Sequence, residues 1–219
     1  MSAGHSHDLV FDGTSASYRR RLWAVILINA GMFGVEMTAG HAAGSQALQA
    51  DALDFAADAA TYGLSLAVIG ASVRVRSGAA LVKAASLLLI GLWVAGATLW
   101  RVTQGGVPEA EVMGLVAILA LAANVASVLL LVAYKDGDAN VRSVWLCSRN
   151  DAIGNVAVMV AALGVWGAAS RWPDLVVAGI MAGLFLTSAI GILRQALAEW
   201  RGAGEAGHDH DHDHPHPHA

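Results

Sequence analysis

The sequence predicts an all-α integral membrane protein, a bundle of six transmembrane helices with both termini in the cytoplasm. Three observations carry that prediction. Hydrophobic residues make up 56% of the 219 and charged residues only 14%, with mean hydropathy +0.55, whereas a soluble domain carries roughly 25% charged residues. The apolar residues gather in six runs, each near the about 20 residues that a bilayer core requires. The basic residues fall at alternate ends of those runs.

A water-soluble enzyme is excluded on the first observation, because little chain remains outside the runs. The formal net charge of -4 and pI near 6.1 leave no basic footprint for nucleic acid. One cysteine, Cys147, allows no internal disulfide.

The chain divides into a His-containing N-terminal segment (1–18), a membrane unit (19–201) and a flexible His/Asp-rich tail (202–219). Within the unit the apolar runs read as helices at 22–39, 48–72, 79–100, 112–134, 141–167 and 173–193. The breaks between them carry turn chemistry: Gly40 to Ser45, Arg74 to Gly78, Gly105-Gly106-Val107-Pro108, Asp136-Gly137-Asp138 and Trp172-Pro173-Asp174. Pro173 suits a first helical turn, where its missing N–H is not required.

Arg19, Arg20, Arg21, Arg74, Arg76, Lys83, Lys135, Arg142, Arg194 and Arg201 lie at one set of ends, and only Arg101 and Arg171 at the other. The positive side is the cytoplasmic one. The first run loosely resembles a cleavable leader, but Glu36 interrupts it, and its removal would spoil the charge alternation. In the last run Gly179, Gly183, Thr187 and Gly191 recur every four residues, a small-residue stripe expected to pack inside the bundle.

Ionisable side chains in mid-membrane point to function. Each costs about 2.5–3.5 kcal/mol at a helix centre, so several together cost on the order of 10 kcal/mol. A bound ion is what can return that cost. The second run holds Asp51, Asp54 and Asp58, within an arc of about 60° on one helical face. The fifth holds Cys147, Asp151 and Asn155 within about 80°. Asp58 lies about ten residues into a span entered from outside and Asp151 about ten into one entered from inside, so the two ladders meet near the midplane.

Carboxylates and a thiolate suit Zn²⁺ and its neighbours, since Mg²⁺ and Ca²⁺ prefer all-oxygen shells. Asp54, Asp58, Asp151 and Cys147 are the expected ligands, with Asp51 and Asn155 as lesser candidates. Asn155 is expected to bond between helices, and Asp51, nearest the external end, to cap or hydrogen-bond locally. Glu36, seven residues from Asn29 on the same face of the first span, is a candidate proton relay. Arg149, about 200° round the helix from Cys147 and Asp151, is expected to face away from the site. His41 is expected at the outer mouth.

The tail places His208, His210, His212, His214, His216 and His218 at alternate positions among Asp and Pro residues, and His5, His7 and Asp8 echo it at the other end. Interleaved imidazoles and carboxylates make a multidentate metal trap. The interleaving differs from an appended purification tag of consecutive histidines.

Residues 29 to 58, with Asn29, Glu36, Gly44-Ser45, Ala47-Leu48, Ala50-Asp51-Ala52-Leu53-Asp54 and Asp58, resemble the first two spans of the cation diffusion facilitator family. Asp151-Ala152-Ile153-Gly154-Asn155 resembles its fifth span and Trp172-Pro173-Asp174 its sixth. The resemblance implies a six-helix carrier, not an enzyme and without a resident cofactor, that exports divalent metal against protons. It also implies a homodimer.

The family's ligands carry over to Asp54, Asp58, Asp151 and Cys147, the last standing where His or Asp is usual. About 20 residues follow the sixth span, too few for the family's folded cytoplasmic domain. The expectation is a multi-pass protein of the bacterial inner membrane exporting Zn²⁺, or Cd²⁺, Co²⁺ or Ni²⁺. Two other readings share the sequence: a membrane metal sensor or buffer that depends on the tail, and a proton-coupled exporter of organic cations.

Overall fold

Six long helices follow one another: α1 (Ala16–Ala43), α2 (Gln46–Ala67), α3 (Val73–Gln104), α4 (Ala110–Leu131), α5 (Ala139–Ala168) and α6 (Trp172–Glu205). This computed structural model describes residues 15–68, 73–136 and 139–205, without the side chains at 73, 74, 76, 77, 139–147, 150 and 199–205. Among the described residues there is no strand.

The helix ends follow from local chemistry. Ser15 caps α1, its hydroxyl accepting from the Tyr18 N–H at 3.2 Å. Gly44 ends α1 in the left-handed conformation, φ 67°, where a Cβ would be strained. The next residue, Ser45, caps α2 by accepting from the Leu48 N–H at 3.1 Å. So short a connection makes α1 and α2 antiparallel neighbours.

The helices overrun the apolar stretches. α3 begins at Val73 rather than 79 and α6 continues to Glu205, because backbone hydrogen bonding does not stop where hydrophobicity does. α2 instead ends at Ala67, short of 72, and the fourth run finishes in a single 3-10 turn at Val132–Tyr134. Among the described residues, five helices are long and apolar enough to cross a membrane. α2 is the sixth: its 22 residues would span about 33 Å, and its three aspartates lower its apolarity.

The most extensive packing joins α3 to α6. α1 packs on α2 and on α4, α4 on α5, and α2 on α5, which closes a four-helix unit. The α3–α6 pair lies against that unit through α2 and α5. Polarity is inverted relative to a soluble bundle. Asn29, Glu36, Asp51, Asp58, Asn124, Ser127 and Asn155 are buried, while Trp93, Leu99, Leu115 and Trp166 are exposed where lipid would be.

One expectation is corrected. The small-residue stripe of α6 is exposed, not packed in the bundle, and a Cβ built at Gly179, Gly183 or Gly191 meets nothing within 4 Å. α3 packs instead on the Gly91–Phe185 side, where a Cβ at Gly91 would lie 2.9 Å from Leu186.

Candidate metal centre

Asp54 and Asp58 stand one turn apart on α2, and Asp151 faces them from α5. The carboxyl groups of Asp54, Asp58 and Asp151 lie close enough to interact across one space. Carboxyl groups stay that close only by sharing a proton, or by giving it up to a cation that takes its place. The structure thus brings Asp54 and Asp58 of α2 together with Asp151 of α5.

Asp54, Asp58 and Asp151 line a narrow space, too tight for a water-sized sphere, together with Asn29, Asn124 and Asp51, and Phe55 completes the lining. Among the described residues no three His, Cys, Asp or Glu side chains stand at the geometry of a finished metal shell. The side chain of Cys147 lies outside the described residues, although α5 places its backbone one turn before Asp151. His5, His7, Asp8 and all six tail histidines also lie outside the described residues.

Asp51 departs from the ladder. It is buried and turned toward Glu36 of α1, also buried, with the two carboxyl groups close enough to interact. As two carboxylates neither has a proton to donate, and both Glu36 oxygens and Asp51 Oδ2 then lack a partner. One proton between them turns the contact into a bond. Asp51 thus shares the edge of the pocket but spends its reach on α1, because a 60° offset from Asp54 aims it past α5.

The remaining candidates divide. Asn29 donates to Val25 O at 2.8 Å and lines the pocket. Asn155 is buried, donates to Asp151 O of its own helix at 3.1 Å, and leaves Oδ1 without a partner. The helical bond to Asp151 O replaces the interhelical one expected for it. Arg149 and His41 are exposed, Arg149 in line with its expected outward orientation.

Two residues that sequence reasoning passed over belong here. Tyr62 donates its hydroxyl to Asp58 Oδ2, and the same hydroxyl is 3.3 Å from Ser148 Oγ on α5. The signal was available, since Tyr62 continues the four-residue ladder of Asp54 and Asp58. Lys83 of α3 exerts a favourable charge on both Asp54 and Asp58. Its role had no sequence signal, because at the end of a span it reads only as a topology marker.

The cation efflux transmembrane domain matches residues 22–199. No curated protein matches the chain closely enough to add to this. The match takes in the membrane-crossing length of all six helices and every carboxylate of the cluster, and the chain belongs to the cation efflux family of membrane transporters.

Proposed function

We propose that the protein exports Zn²⁺, or a similar ion such as Cd²⁺, Co²⁺ or Ni²⁺, from the cytoplasm in exchange for protons. The convergence of both α2 carboxyls, Asp54 and Asp58, with Asp151 of α5 on one enclosed space carries this reading. Three carboxylates in low dielectric repel one another unless cations or protons neutralise them. Metal binds only the deprotonated ligands, so ion and proton compete for the same oxygens and one displaces the other. Cys147, one turn before Asp151, would supply sulfur as the fourth ligand. Rocking of packed helices about a midplane site gives each side access in turn.

Glu36 and Asp51, joined across α1 and α2 at the edge of the pocket, are suited to hold a proton and pass it to the cluster. The tail histidines would gather ions on the cytoplasmic side. The outward-facing stripe of α6 favours close approach of a second copy, and with it a homodimer. On this reading the assembly sits in the bacterial inner membrane, and the distribution of basic residues supports both termini inside.

The aspartates close on one another without room for a water-sized sphere, which argues against organic cations, since drug-sized ligands need pockets of roughly 300–1,000 Å³. The test is uptake into proteoliposomes under a pH gradient with each ion, comparing wild type, Asp54→Ala and Cys147→His. Gradient-driven Zn²⁺ uptake that Asp54→Ala abolishes is expected. Equilibrium metal binding to protein truncated after residue 206 isolates the membrane site. Metal binding there that ignores Asp54→Ala would remove the carrier reading in favour of a buffer.

A further inference from the structure

Between the outer halves of α4 and α5 lies a groove of about 270 Å³, separate from the carboxylate cluster. Side-chain size makes it. Ala110 and Gly114, one turn apart on α4, border it together with the buried Ala162 of α5, and side chains this small leave the gap unfilled. A Cβ built at Gly114 meets nothing within 4 Å, so the space begins at the helix backbone. Ile118, Leu163 and Trp166 form its apolar sides and are exposed, so it opens sideways toward lipid. Glu111, exposed in the first turn of α4, supplies the charge in its lining.

The length of the groove suits one lipid tail. From Ala110 to Ile118 the helix rises about 12 Å, and one leaflet contributes about 15 Å of hydrocarbon. Glu111 is the second residue of the 25-residue span Ala110–Tyr134, at the end that the basic residues mark as external, and so at headgroup depth. An apolar gap left empty forfeits the contacts of its lining, and water does not fill a space that offers it so few polar partners. A tail from the surrounding leaflet enters from the side.

Selection among lipids falls to the rim. The apolar sides favour no lipid class, because lipid tails are as apolar as leucine. The Glu111 carboxylate attracts an ammonium and repels an anionic headgroup, and Glu109, exposed two residues before it, adds the same sign. Arg101 and Arg171 of this end do not line the groove, and they donate to Gly44 O and Val102 O, each at 3.1 Å. A primary ammonium donates charge-assisted hydrogen bonds to a carboxylate, whereas a quaternary one has no N–H to give.

We propose that the α4–α5 groove is a lipid site, holding one tail of an outer-leaflet phosphatidylethanolamine with its ammonium on Glu111. This goes beyond metal export and does not depend on which ion is carried or on its exchange for protons.

Photolabelling tests it. The full chain is reconstituted in phosphatidylcholine with a trace of phosphatidylethanolamine whose tail carries a diazirine, and the adducts are mapped by peptide mass spectrometry. Residues 114–118 and 159–166 should carry adducts in excess over the lipid-facing sides of α3 and α6. Unlabelled phosphatidylethanolamine should compete for that excess about threefold better than phosphatidylcholine, the modest preference of an exposed ion pair, and phosphatidylglycerol should compete least. Gly114→Leu, which fills the groove, should remove the excess and leave the labelling of α3 and α6 unchanged. Glu111→Gln should keep the excess and erase the headgroup preference.

Labelling spread evenly over the lipid-facing helices means ordinary surrounding lipid only and overturns the site, as does an excess that survives Gly114→Leu. Should that variant fail to assemble, competition on the wild type decides: phosphatidylcholine or phosphatidylglycerol competing as well as phosphatidylethanolamine overturns the proposal. A groove that takes no label while crosslinking one copy to another through α4 or α5 makes the occupant a second copy and overturns it too.

Discussion

Tyr62 is one helical turn beyond Asp58 and donates its hydroxyl to that carboxyl while touching Ser148 of α5. It therefore fixes where one oxygen of the cluster points and links the two helices that supply it. Groups that orient metal ligands typically contribute tenfold to hundredfold in affinity. Tyr62→Phe in protein truncated after residue 206 should bind Zn²⁺ about tenfold more weakly by calorimetry, with helical content unchanged by circular dichroism. Unaltered affinity would reduce Tyr62 to packing. The ladder spacing made Asp54, Asp58 and Asp151 legible in the sequence, because an acid in mid-membrane is too costly to keep unless something binds there. The pairing of Asp51 with Glu36 was not legible, since a face shared on one helix does not say which neighbour each side chain meets.

At the scale of elements, α1 and α2 depend on a close approach at their shared end. A Cβ at Gly40 would lie 2.9 Å from Leu48 Cβ and 3.1 Å from the Gln49 backbone nitrogen. Backbone cannot retreat as a flexible side chain can. Overpacking of this kind costs about 1–3 kcal/mol, so Gly40→Leu should lower the thermal midpoint in detergent by several degrees. Gly183→Ala, on the open face of α6, should leave that midpoint unchanged, because its Cβ meets nothing. The two glycines look alike in sequence. Apolar runs located every helix, but the ends moved, as at Val73 and Glu205, since hydropathy marks the lipid-facing length and hydrogen bonding marks the helix.

For the molecule as a whole, packing sorts the helices into a four-helix unit that holds the carboxylates and an α3–α6 pair beside it. The exposed stripe of α6 lies on the outside of that pair. If two copies meet there, Gly183→Trp should convert a detergent-solubilised dimer to monomer by light scattering, because a large side chain prevents close helix approach. A dimer that persists would place the contact elsewhere.

Spans, charge asymmetry and the buried acids were decided by the sequence alone, because burial in lipid penalises every polar residue that lacks a reason and leaves the justified ones conspicuous. The tertiary structure decided which acid faces which, that the glycine stripe looks outward, and that Asp174 of α6 caps α2. Each of these is a meeting between helices far apart in the chain, and it depends on rotations and offsets of packed helices that no single helix encodes.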